Sequence, residues 1–243
     1  MATPRSVADA DYRGYTVEAD ELADLTPDTL PASSRPPIGP LHEPDTMPPA
    51  PPARVGDEPL VRPDHRRIRL LRPYFHEGWQ HARPDTWIRA GVADRLGMVA
   101  DALPDGFGLA IFDAWRPLAL QAELFDAAYG DDRLPPGFIA DPDPDPSTPP
   151  AHLTGGAVDL TLTWRSAPLA LGTPFDDFTP RAAAAALESE PGPSRELRRL
   201  LVGAMRSAGF IVLDIEWWHF EWGTRRWAAI RDEPCRYGAA SPP

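Results

Sequence analysis

One cysteine, Cys235, is the only thiol in the chain. A single thiol forms no internal disulfide, so no disulfide framework supports the fold. Long apolar runs are missing as well: no stretch approaches the roughly 18 consecutive apolar residues of a membrane span. Met1 to Asp20 has no basic start followed by an apolar segment, which leaves a soluble, cytoplasmic protein as the expectation. Basic residues are the minority, 24 against 36 acidic ones, for a formal charge of -12. That balance excludes general binding to nucleic-acid backbones and to anionic membranes. Histidine is scarce too, with six in all (His42, His65, His76, His81, His152 and His219), so few ligand sets can be built.

Proline is what the chain has in excess, 32 of 243 residues, against a usual share of about 5%. The prolines concentrate between Pro27 and Pro63, where no helical or strand period is present and too little apolar surface exists to offset ordering entropy. Residues 1–66 therefore read as an acidic, proline-rich extension, extended or wrapping, with Asp11 to Leu25 forming at most a short acidic helix. His42 and His65 lie in or beside it and read as surface residues. Residues 67–243 remain for one domain of ordinary size.

Within that domain, Trp87, Ile88, Val92, Leu96, Val99 and Leu103 recur at three and four, predicting a helix from about Thr86 to Leu103. Phe107 to Trp115 is short and apolar, as a buried strand is. A second helix is expected over Pro117 to Ala128, with the proline in its first turn. Leu134 to Pro150 reads as a loop. Ala157 to Trp164 alternates Val158, Leu160 and Leu162 with Asp159, Thr161 and Thr163, the period of a strand. Ser194 opens a helix that Gly209 caps, and Phe210 to Trp222 follows as one or two strands. Irregular alternation with long loops predicts an α+β fold, a central antiparallel sheet flanked by helices.

Three segments carry polar residues suited to chemistry. His76 and His81 are five apart with a glycine between them, which fails the four-residue spacing of a zincin helix. The segment His152-Leu153-Thr154-Gly155-Gly156-Ala157-Val158-Asp159 turns through two glycines, so a loop histidine can fold back beside the first polar strand position. Asp159 faces either solvent or a cation, and on alternation alone a solvated face is favoured. Glu216-Trp217-Trp218-His219 sets a glutamate and a histidine among tryptophans, where burial demands partners. On a regular strand Glu216 and His219 face opposite sides, so a shared site requires a bulge or tight bend. Two histidines and a carboxylate with an open fourth position form a catalytic zinc set, beside which a glutamate can act as base. Arg116 suits an oxyanion, although pairing with Asp113 or helix entry accounts for it equally. Trp217, Trp218, Trp222 and Trp227 read as core around the site.

Taken in order, Asp113-Ala114-Trp115-Arg116-Pro117, His152-x6-Asp159-Leu160-Thr161-Leu162, Gly172-Thr173-Pro174-Phe175-Asp176 and Glu216-Trp217-Trp218-His219 resemble the D-alanyl-D-alanine dipeptidases of the vancomycin-resistance type. These belong to a group of zinc D,D-peptidases that shares its fold with hedgehog signalling domains. The resemblance runs from about Ile68 to the C-terminus. It implies a Zn2+ ion on His152, Asp159 and His219, Glu216 as base, and Arg116 at the transition state. It also implies that Asp176 receives the free amino group of a small D-dipeptide. Pro150 stands where the family has a serine, and Tyr74 to His81 replaces an asparagine-rich stretch; both departures fall on substrate recognition.

The expected reaction is hydrolysis of a D-dipeptide, most simply D-alanyl-D-alanine, to recycle or remove a cell-wall precursor. The alternatives are the same zinc site acting on another short peptide, a cell-wall fragment or a pathway-specific amide, and a zinc-stabilised binding module without catalysis. Glu216 and Arg116 weigh against the last, since a structural site needs neither. The sequence names no protein partner and no oligomeric state.

Overall fold

The computed structural model describes residues 6–7, 10–52, 57–130, 134 and 137–243. Parts of two expected segments, residues 1–5, 8–9 and 53–56 of the extension and 135–136 of the loop, lie outside them. The described chain runs through β1 (Val17–Glu18), β2 (Leu60–Val61), β3 (Ile68–Leu70), α1 (Pro73–His76), β4 (Ile88–Arg89), α2 (Ala90–Ala102), β5 (Phe107–Asp113) and α3 (Leu118–Tyr129). It continues through β6 (Ala157–Trp164), β7 (Ala167–Ala170), α4 (Pro193–Ser207), β8 (Ile211–Val212), β9 (His219–Glu221) and α5 (Arg225–Arg231).

The central strand is β6. One edge pairs along its length with β5, antiparallel, while the other edge is shared: β9 takes its first half and β7 its last residues. β8 extends the sheet beyond β9. These central pairings are antiparallel, but the sheet as a whole is mixed, which corrects the expectation of an antiparallel one. β3 lies parallel to β5, and β1 parallel to β7. A parallel pair needs a long crossover, and the segment holding α1, β4 and α2 supplies it between β3 and β5. β1 arrives from the N-terminal segment and lies along the free edge of β7.

Leu109 and Ile111 of β5 sit opposite Leu162 and Leu160 of β6. They join the apolar stripes of α2 (Val92, Leu96, Val99) and α4 (Leu197, Leu200, Leu201, Met205) in one core. Each such side chain, removed from water, contributes about 2 kcal/mol. Gly209 ends α4 as expected, at φ 89°, with Phe210 N–H donating back to Met205 O at 3.1 Å.

The helix expected from Thr86 starts four residues later. Ile88 and Arg89 pair with Leu60 and Val61 as a two-stranded antiparallel ribbon, so an incoming strand captures what periodicity assigned to a first helical turn. The segment from Asp11 to Leu25 forms no α-helix; short 3-10 turns flank β1 there. Its Tyr12 is buried, and its Asp20 accepts hydrogen bonds from the backbone N–H and hydroxyl of Ser194, capping the start of α4. Farther along, Ile38 and Ala50 are buried, and Ala50 N–H donates to Ser147 O at 2.8 Å.

Candidate metal and catalytic site

Strand register brings three acidic and imidazole groups into a row. Asp113 of β5 lies opposite Asp159 of β6, which lies opposite His219 of β9. Residues directly opposite in a sheet point to the same side. Asp159 is only 2% exposed, so its face is the lined cleft rather than solvent. His152 enters from a 3-10 turn, Ala151–Thr154, which Pro150 opens and Gly155 closes at φ 71°. That left-handed glycine folds the histidine back over the start of β6.

The bend that Glu216 and His219 require is present. Trp217 and Trp218 form a turn between β8 and β9, with His219 N–H reaching Glu216 O at 3.4 Å. It carries Glu216 to the same side, its Oε2 3.9 Å from His219 Nδ1. Both tryptophans are buried, Trp217 donating its indole N–H to Thr173 Oγ1 at 2.8 Å.

His152, Asp159 and His219 present one ligand atom each, all within 4.8 Å of one another. His152 Nδ1 sits 2.7 Å from the carbonyl of Ala114, which commits that nitrogen as a donor and leaves Nε2 to face inward. Nε2 lies 3.2 Å from His219 Nδ1 and 3.3 Å from Asp159 Oδ2, and His219 Nδ1 lies 2.9 Å from Asp159 Oδ1. Two ring nitrogens and a carboxylate converging away from water form a donor set that fits a divalent cation such as zinc. In the metal-free protein, burial disfavours charge on His219, but Asp159 and Glu221 outweigh it and push its pKa up to about 10. The two imidazoles hold Asp159 well below the usual carboxylate range despite its burial.

Arg116 makes the expected pair with Asp113 and also faces Asp159. Its Nε donates to Asp113 Oδ2 at 2.7 Å and its Nη1 to Gln121 Oε1 at 2.9 Å, while Nη2 stands 3.6 Å from Asp159 Oδ2. The guanidinium is buried beside Asp159, with the Tyr74 ring 5.3 Å away. Burial pushes Glu216 up to about 7, against the pull of His219. Asp176 is pushed well above the carboxylate range by burial and by Glu216 and Asp159; Tyr74 donates to its Oδ2 at 2.7 Å. His152, Asp159, His219, Glu216, Arg116 and Asp176 line one cleft of about 440 Å³.

The expected site residues His152, Asp159, His219, Glu216, Arg116 and Asp176 thus come together. His76 is exposed, and His81 pairs with Glu123 at 3.0 Å outside the cleft; His65 pairs with Asp101. Sequence reasoning assigned no role to Tyr74 or Gln121: Tyr74 reaches Asp176 only through tertiary approach, and Gln121 meets Arg116 across the start of α3. Glu43 and Met47 also line the cleft, from the segment read as an arm.

Comparison with known proteins agrees with the motifs. Residues 94–233 match the family described as D-ala-D-ala dipeptidase. A D-alanyl-D-alanine dipeptidase of Synechocystis sp. is 29% identical over 208 residues, covering 70% of this chain and 84% of the relative. One of Escherichia coli is 35% identical over 118 residues, covering 48% of this chain and 55% of the relative.

Proposed function

The chain belongs to the D-ala-D-ala dipeptidase family of peptidases, and from that premise we propose that it is a zinc-dependent hydrolase of D-alanyl-D-alanine, releasing two D-alanine molecules. The observation that carries this reading is the convergence of His152, Asp159 and His219 with Glu216 and Arg116 at their side.

His152, Asp159 and His219 would hold the zinc, which when bound would supply Lewis acidity to the scissile carbonyl and to a water. Glu216 takes the proton from the attacking water and delivers it to the leaving amine, a task suited to a carboxylate raised toward neutrality. Arg116, oriented by Asp113 and Gln121, places its guanidinium against the oxyanion of the tetrahedral species. Asp176 receives the substrate's free ammonium, a cation that offsets the cost of ionising this buried carboxylate. Such a reaction fits turnover of a cell-wall precursor in the cytoplasm. The proposed catalytic unit is 67–243, against which Tyr12, Ile38 and Ala50 of the N-terminal extension are buried.

Glu216→Ala tests the assignment. The variant is expected to lose turnover by at least about a thousandfold while keeping its zinc; parental activity would remove Glu216 from the role of base. A second substrate, another short peptide or a pathway-specific amide, is favoured by one observation. Pro150 lines the cleft, at the position where the family resemblance implies a serine, so one substrate hydrogen bond would be made differently. A panel of D- and L-dipeptides separates the two readings by their products.

A further inference from the structure

His219 presents its two ring nitrogens in opposite directions. Nδ1 faces Asp159 and His152, while Nε2 lies 3.0 Å from Glu221 Oε1. A neutral imidazole carries one proton, on one nitrogen or the other. Holding a metal through Nδ1 requires the proton on Nε2, with an acceptor to receive it. His152 solves the same problem in the reverse sense, with Nδ1 on the Ala114 carbonyl.

We propose that Glu221 is a positioning residue that fixes His219 in its metal-holding tautomer and orientation, in a carboxylate–imidazole–metal chain anchored by Arg226 and, through it, by Glu43. This inference rests on the metal site proposed above. β9 makes the arrangement possible: Glu221 is two residues beyond His219, so the two side chains emerge on the same face of the strand. Glu221 is 1% exposed, a poor place for a carboxylate unless its oxygens are fully engaged. They are. Oε1 accepts from Arg226 Nη1 at 2.6 Å as well as facing His219, and Oε2 accepts from the Thr224 hydroxyl.

Arg226 is ion-paired in turn, its Nε 2.9 Å from Glu43 Oε2 but without a hydrogen bond from that N–H. Glu43 comes from the N-terminal segment, so that segment contributes the last link of a chain ending at a metal ligand. An ion pair between Glu221 and Arg226 alone would explain burial, but not why the oxygen that takes Arg226 also faces His219. A carboxylate on the far nitrogen orients the ring and raises its basicity, strengthening it as a ligand.

The test compares zinc affinity of the full chain with those of Glu221→Gln and Glu43→Gln, by competition with a chromophoric chelator. Thermal melting of each metal-free protein is measured alongside. Glu221→Gln keeps the shape of the side chain and removes its charge. Its zinc dissociation constant should rise by about 10- to 100-fold, with the metal-free protein melting lower, because Arg226 loses a buried partner, yet still folded at the assay temperature. Glu43→Gln, half-exposed and reaching the ring only through Arg226 and Glu221, should weaken zinc binding by a few-fold. Parental affinity in Glu221→Gln overturns the proposal. So does a loss of affinity confined to conditions in which the metal-free variant is unfolded, which would make Glu221 structural only. If Glu221→Gln does not fold, unchanged affinity in Glu43→Gln overturns it and weakened affinity upholds it. A parent chain that takes up no zinc overturns the metal site itself, and this proposal with it.

Discussion

Arg116 illustrates how a single side chain is made useful by its neighbours. Five N–H groups on a planar fork let it bind Asp113 and Gln121 and still direct Nη2 toward Asp159. Arg116→Lys keeps the charge and loses the fork. The expected result is a fall in kcat of about 10²- to 10³-fold with KM changed far less, read from steady-state kinetics. An equal loss in kcat/KM carried wholly by KM would assign Arg116 to ground-state binding instead. At this scale the sequence was most informative where chemistry restricts residue type. With six histidines in the chain, His152 and His219 stood out by their company. Tyr74 and Gln121 were not legible, because nothing in their local pattern reports the 2.7 Å approach to Asp176 or the 2.9 Å approach to Arg116.

Elements position these residues through two short backbone devices. One is the turn at Trp217 and Trp218, which the three-residue separation of Glu216 and His219 demanded in advance. The other is Gly155, whose φ of 71° closes the turn bearing His152. A Cβ at Gly155 would collide with the side chain of Leu60 in addition to straining the backbone. Gly155→Ala is therefore expected to cost about 1–3 kcal/mol in urea unfolding and to weaken metal uptake by displacing His152. A variant with parental stability would show that the turn tolerates another conformation. The strand β6 and the helix α4 were visible in their apolar periods, β5 in its short apolar run and α3 in the proline at its start. The start of α2 was not, since Leu60 and Val61 reach it from the N-terminal segment. Neither were the parallel edges of the sheet, because periodicity along a strand carries no record of its neighbour's direction.

Across the whole molecule the N-terminal segment is tied to the site. Tyr12 is 1% exposed, accepts from the Trp79 indole N–H at 3.0 Å, and packs edge-on against Tyr74, 5.8 Å between ring centres. Proline content and lack of period described this segment as extended, yet gave no sign that its few aromatic and aliphatic residues enter the core. Tyr12→Ala should lower stability by about 3–5 kcal/mol and raise KM for a substrate with a free amino group, because Tyr74 supports Asp176. Unfolding midpoints and steady-state kinetics on the same preparation check both effects.

The measurement that bears most directly on the central claim is zinc content together with hydrolysis of D-alanyl-D-alanine, before and after chelation. The predicted result is one zinc per chain, release of D-alanine that ceases when the metal is stripped, and recovery when zinc is returned. Undiminished hydrolysis by metal-free protein would contradict it, as would a chain that neither binds zinc nor cleaves the dipeptide.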